Sequence, residues 1–77
     1  MQEFFVKLSS FDDIRAFVVL ATTQPFEVYA QVPTKRVSAK SFMGMTSLDY
    51  RNPVQVVGDC PQEAWEEFRR AADRFLV

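Results

Sequence analysis

Histidine is absent from this 77-residue chain, so no imidazole is available as general base, nucleophile or metal ligand. Cysteine occurs once, at Cys60, which rules out an internal disulfide and leaves too few ligands for zinc. A lone thiol fits a reducing compartment. The two glycines, Gly44 and Gly58, stand apart, so no glycine-rich loop can cradle a phosphate and no cofactor or metal is expected. Charge of either sign is scarce in excess: nine basic against ten acidic residues leave a net −1. That gives no field to draw nucleic acid or an anionic membrane, and neither is expected as a partner. No stretch approaches the ~18 apolar residues of a membrane helix. The opening MQEFFVKLSS has neither a basic n-region nor a long apolar h-region, so a cytoplasmic protein is expected. Repeats, low-complexity tracts and linkers are missing as well.

What the chain does have is apolar residues, 48% of the total, with eight phenylalanines and one tryptophan. Its length predicts a single domain over residues 1–77, which at this size buries roughly 60% of its unfolded surface around one aromatic-rich core. Phe4, Val6 and Leu8 alternate with Phe5 and Lys7, the period of a strand with one buried face. In SFDDIRAFVVLATTQP, the residues Phe11, Ile14, Phe17, Val18 and Ala21 recur at helical spacing, and Pro25 closes the segment. FEVYAQV alternates again, with Phe26, Val28, Ala30 and Val32 on one face. PTKR is read as the turn into a strand over Val37 to Lys40. A short helix follows from near Ser41 to Leu48, then a strand in PVQVVGD. From Pro61 the terminal helix carries Ala64, Trp65, Phe68, Ala72, Phe75 and Leu76 on one stripe, with Glu66 and Arg70 paired at i,i+4 outside. Since only one face of each strand is apolar, the expected fold is α+β, an antiparallel sheet covered by helices on one side: an open-faced sandwich.

In this setting VSAKSFMGMTSL, placed before a strand and a long terminal helix, closely resembles the HPr family of bacterial phosphocarriers, above all its catabolite-repression branch. There, too, a serine after Ala-Lys is followed by an apolar residue and Met-Gly. The resemblance implies a four-stranded antiparallel sheet of order 1-4-2-3 with three helices on one face. It also implies that Ser41 is the target of a serine kinase of the HPr-kinase type, and that the apolar helix after it docks partner proteins, a transcriptional regulator among them. In the first half the match is one of pattern only. The family's phosphoacceptor histidine and neighbouring arginine, at the start of the first helix, align here with Ser10 and Asp12. Both roles of that phosphocarrier site are therefore lost.

Taken residue by residue, SFDD reads as a helix start: Ser10 as N-cap, Asp13 reaching back as a capping box, and both acids suited to the dipole. Ser10 has no adjacent base, and Asp12 and Asp13 would each repel a phosphoryl group ~6 Å away by roughly 1 kcal/mol even in water. Ser41 reads both as a cap of the short helix and as a modification site, two roles that are compatible. Lys35, Arg36 and Lys40 form a local basic group able to receive the new charge. Helical spacing turns Met45 and Leu48 to the core and leaves Phe42, Met43 and Thr46 for solvent, where, with Lys40, they make an adaptable partner surface. Pro61 is placed at the first helical position, so Cys60 falls near the N-cap, where a dipole would lower a thiol pKa; with no partner cysteine or histidine, it is read as a substitute cap instead of a redox or nucleophilic group. Phe5 and Tyr29 on the open sheet face leave room for a homodimer. The reading is a non-catalytic, HPr-like regulatory or binding protein related to the sugar phosphotransferase system. The alternative is a phosphocarrier with a non-histidine acceptor.

Overall fold

The computed structural model describes all residues, 1–77. Four strands, β1 (Gln2–Val6), β2 (Val28–Val32), β3 (Lys35–Ser38) and β4 (Val54–Gly58), form one antiparallel sheet of order β1-β4-β2-β3. Three helices, α1 (Phe11–Thr22), α2 (Phe42–Thr46) and α3 (Gln62–Ala71), cover one face, and a 3₁₀ turn, Asp73–Phe75, ends the chain's regular structure. This is the expected open-faced sandwich with the expected strand order.

Register and alternation together sort the strand side chains. Phe4, Val56 and Ala30 lie in one row beneath the helices, and all three are buried. The intervening rows, Glu3–Val57–Tyr29–Ser38 and Phe5–Gln55–Gln31–Arg36, face the open side. Under the helices the core is aromatic. Trp65 packs against Phe4 at 5.0 Å and Phe68 at 5.4 Å between ring centroids, Phe17 against Phe68 at 6.0 Å and Phe75 at 5.8 Å, and Phe26 closes the cluster 6.1 Å from Trp65.

Local chemistry explains where α1 starts and stops. Ser10 caps it, its Oγ accepting from Asp13 N at 3.1 Å. Asp13 does reach back, but to Ser9 N at 3.0 Å, one residue before the position a capping box uses. The last turn of α1 contains no cation, and Lys40 supplies one from elsewhere, its Nζ donating to Gln24 O at 2.9 Å.

Several expectations are corrected. Phe11 is 69% exposed, because Leu8 and Ile14 on either side fill the core at that end and leave the ring at the rim. The second hairpin strand is Lys35–Ser38, since Val32 pairs with Lys35 across a two-residue Pro33–Thr34 turn. It stops there because Lys40 N and Ser41 N fold back to Ser38. Pro61 is the N-cap of α3, with φ −57° and ψ 143°, and the helix ends at Ala71. Phe75 then reaches the core from the 3₁₀ turn instead of from α3. Glu66 is not paired with Arg70, because its carboxylate accepts from Gln62 Nε2 at 3.1 Å, the residue at the same spacing on the other side. Beyond the turn, Lys7 N donates to Phe75 O and Val77 N to Phe5 O, so the tail runs along the outer edge of β1.

Gly58 is where this packing is tightest. A Cβ there would lie 2.6 Å from Trp65 Cζ3 and 3.3 Å from Glu27 O. Gly58→Ala is expected to destabilise the domain by about 1–3 kcal/mol in denaturant titration. Trp65→Phe, which removes the obstructing ring carbon, should make Gly58→Ala cost less in the double mutant than alone. Additive losses would show that the indole does not set this limit.

Candidate functional site

Ser41 ends the segment after β3 in an extended conformation, φ −104° and ψ 112°, and caps α2: its Oγ accepts from Gly44 N at 3.1 Å. Glycine at 44 permits that closeness. A Cβ would sit 3.3 Å from Ser41 Oγ and 3.2 Å from Val37 Cβ, tighter than side chains normally pack. Met45 and Leu48 are buried as the spacing requires, and the Tyr50 hydroxyl donates to Met45 O, fixing the end of the helix. Phe42 remains 38% and Met43 82% exposed, while Thr46 is half-buried with its hydroxyl turned to Met43 O.

The exposed apolar surface extends further than the sequence indicated. Phe11 and Ile14 of α1 and Thr46 and Tyr50 of the α2 region line one shallow depression of about 320 Å³. Phe11 thus lies on the same side as α2. Only its place directly after the Ser10 cap hinted at this, since a residue in the first turn can overhang the core it nominally faces.

The basic residues do not gather around Ser41. The Lys40 ammonium is engaged at the end of α1 through Gln24 O. Arg36 lies on the open sheet face with its guanidinium carbon 4.4 Å from the centroid of the Tyr29 ring. At the other helix start, Ser10 Oγ is occupied as the acceptor for Asp13 N, Asp12 is exposed, and the only nearby carboxylate with a defined bond, Asp13, accepts from Ser9 N.

Cys60 differs from expectation in environment. It precedes the Pro61 cap, and Gln2 brackets its backbone, accepting from Cys60 N at 3.3 Å and donating to Cys60 O. Burial, and then the negative Asp59, push the thiol pKa up. Cys60 is thus not the cap of α3, and its thiol is raised where a helix start alone would lower it. At the exposed loop after α2, Arg51 holds Asp49 in a hydrogen-bonded ion pair and lowers its carboxyl to about 2. No three potential ligands cluster for a metal, and no helix is long and apolar enough to cross a membrane.

Comparison with known proteins places this geometry. No family model matches the chain, and no curated protein matches it. Among solved structures, HPr-C-His from Thermoanaerobacter tengcongensis superposes with a TM-score of 0.73 at 21% identity, over 95% of this chain and 92% of that one. The Bacillus subtilis catabolite-repression protein Crh, described as an intertwined dimer with a swapped domain, gives 0.66 at 24% identity, over 94% and 87%. The chain has the HPr-like fold, as its sequence resemblance implied.

Tyr50 offers a check on how α2 is held. Burial raises its phenol from 10.0 to about 12. The folded state thus favours the neutral ring, and the resulting stability is complete below pH 10.0 and lost as pH rises through about 12. Ultraviolet titration should show one late phenolate step that Tyr50→Phe abolishes. The same variant should lose about 1 kcal/mol near neutral pH through the freed Met45 carbonyl. Loss of an ordinary phenolate step near 10.0 instead of the late one would place Tyr50 in solvent.

Proposed function

We propose that this chain is a non-catalytic regulatory or binding protein of HPr type, related to the sugar phosphotransferase system and acting in the cytoplasm. It docks protein partners through α2 and the adjoining start of α1, and phosphorylation of Ser41 regulates that docking. The observation that carries this reading is the Ser41 cap set directly before exposed Phe42 and Met43, with exposed Phe11 on the same side. Methionine and phenylalanine exposed together suit an adaptable contact. A phosphate on Ser41 would add about −1.5 to −2 charges at the edge of that surface, altering partner choice more than fold.

A serine kinase of the HPr-kinase type fits Ser41, with Phe42 and Met43 as its recognition residues, and a transcriptional regulator fits the docking surface. Lys40 flanks the surface, although its ammonium is engaged with α1, and Thr46 completes it. Homodimerisation is supported by the intertwined dimer described for Crh. A phosphocarrier role is disfavoured: the chain has no histidine, Ser10 Oγ serves as a helix cap, and two acids follow it.

An HPr-type kinase is expected to modify Ser41 and leave Ser9, Ser10, Ser38 and Ser47 alone, as read by mass spectrometry. Phe42→Ser with Met43→Ser should suppress modification while the circular dichroism spectrum stays that of the folded domain. Labelled phosphoenolpyruvate and the general phosphotransferase enzymes should transfer nothing, with an ordinary HPr as positive control. An unlabelled Ser41 alongside a labelled control HPr would reduce the serine to a cap, and stable labelling of Ser10 would restore the carrier reading.

A further inference from the structure

The largest depression of the molecule, about 740 Å³, lies away from α2, on the open sheet face at the hairpin end. Its ten lining residues include Phe5, Gln55, Gln31 and Arg36 from one open-face row, Asn52 from the loop before β4, and Lys35, which starts from the opposite row of the edge strand β3 and borders the trough at its rim; none of the ten is acidic, although the chain carries more acids than bases. Neither Lys35 nor Arg36 has a carboxylate partner; the structure's one ion pair is Asp49–Arg51. The Arg36 guanidinium carbon lies over the Tyr29 ring, 4.4 Å from its centroid, and no side-chain hydrogen bond engages its donors.

The neutral groups are also partly unused. Gln31 Nε2 donates to Gln55 Oε1 at 2.8 Å and Gln55 Nε2 to Glu3 Oε2 at 2.6 Å, so Gln31 Oε1 is left without a donor. Asn52 makes no side-chain hydrogen bond. Phe5, 43% exposed, offers an aromatic face at the same place. Two unpaired cations suit a phosphate, carboxamides suit the edge of a nucleobase, and an exposed phenyl ring suits its flat face. A bare sugar fits less well, because the one carboxylate beside the trough, Glu3, is already engaged by Gln55 Nε2.

We propose that this trough binds a nucleoside monophosphate, with Lys35 and Arg36 on the phosphate, Phe5 against the base, and Gln31 and Asn52 at the base edge. Its volume lies within the range of small-ligand sites. The site is separate from the α2 surface and independent of Ser41.

The test is amide shift mapping by NMR on the intact chain, titrated with adenosine monophosphate, adenosine, inorganic phosphate and a short single-stranded oligoadenylate. Saturable shifts are expected for the monophosphate at Phe5, Gln31, Lys35, Arg36 and Asn52, with adenosine and phosphate each binding at least about tenfold more weakly. Phe5→Leu, and Lys35→Gln with Arg36→Gln, should each weaken the monophosphate about tenfold or more without altering the spectrum elsewhere. Phosphate binding as well as the monophosphate would leave only an anion patch and overturn the proposal. So would tighter binding of the oligoadenylate, which would make the face a single-strand surface. Shifts that track protein concentration without ligand would assign the trough to a second copy, and no saturable shift would remove the site altogether.

Discussion

Six aromatic rings, from Phe4, Phe17, Phe26, Trp65, Phe68 and Phe75, form one connected cluster in which each lies 5.0–6.1 Å from at least one other, and the rest of the structure is arranged around it. They arise from β1, α1, the entry to β2, α3 and the final 3₁₀ turn. A domain this small has little interior and no disulfide to reinforce it, so large rings supply most of what there is to bury. The cluster constrains its neighbours in turn. Trp65 reaches so far over the sheet that a side chain at Gly58, the end of β4, would press on its ring, and Gln2 pins the Cys60 backbone at that same end. The price of this closeness is visible in the indole itself, whose buried Nε1 has no hydrogen-bond partner.

Because all the rings lie on one side, the two faces of the sheet behave differently. On the helical side every buried residue is apolar. On the open side, side chains satisfy one another along a ladder from Gln31 through Gln55 to Glu3, across three strands. Val57, in the neighbouring row, is only 2% exposed, although it stands outside the helix-side core. A face built this way tolerates water along its middle. What remains unpaired there is concentrated at the hairpin end, where the Pro33–Thr34 turn brings Arg36 onto the open face and Lys35 to its rim at the edge strand. On the helical side, unpaired apolar surface is concentrated at α2 and Phe11. The molecule thus presents two chemically distinct surfaces on opposite faces of one core.

Short-range features were legible in the sequence for a physical reason: a cap or an alternating strand is decided by residues a few positions apart. Ser10 with Asp13, and Ser41 with Gly44, are bonds between residues three apart. The strand alternation was legible because one face is buried, which pins register. What the sequence withheld depends on distant partners. Lys40 reaches Gln24, sixteen residues away, so its engagement at the end of α1 has no local signature. Arg36 leaves the basic group for Tyr29 once the Pro33–Thr34 turn places it in β3. Phe11 has the right spacing for the core and still overhangs it, because Leu8, ahead of the helix, takes that space. Cys60 sits close to a helix start, yet Pro61 takes the cap, and burial with the neighbouring Asp59 pushes the thiol up.

The two capping serines show how one local motif can hold opposite electrostatics. Ser10 and Ser41 each accept from the amide three residues on, at the same 3.1 Å. After Ser10 the first turn carries Asp12 and Asp13, whereas the first turn after Ser41 carries no acid. A phosphoryl group on Ser10 would face two like charges, each worth roughly 1 kcal/mol of repulsion at contact range even in water. On Ser41 it would meet none within its own helix. The acids stabilise α1 by complementing its positive end, and the same complementarity excludes an added anion there. The two helix starts therefore differ in what they oppose: the first turn of α1 carries two acids against any added anion, and the first turn of α2 carries none.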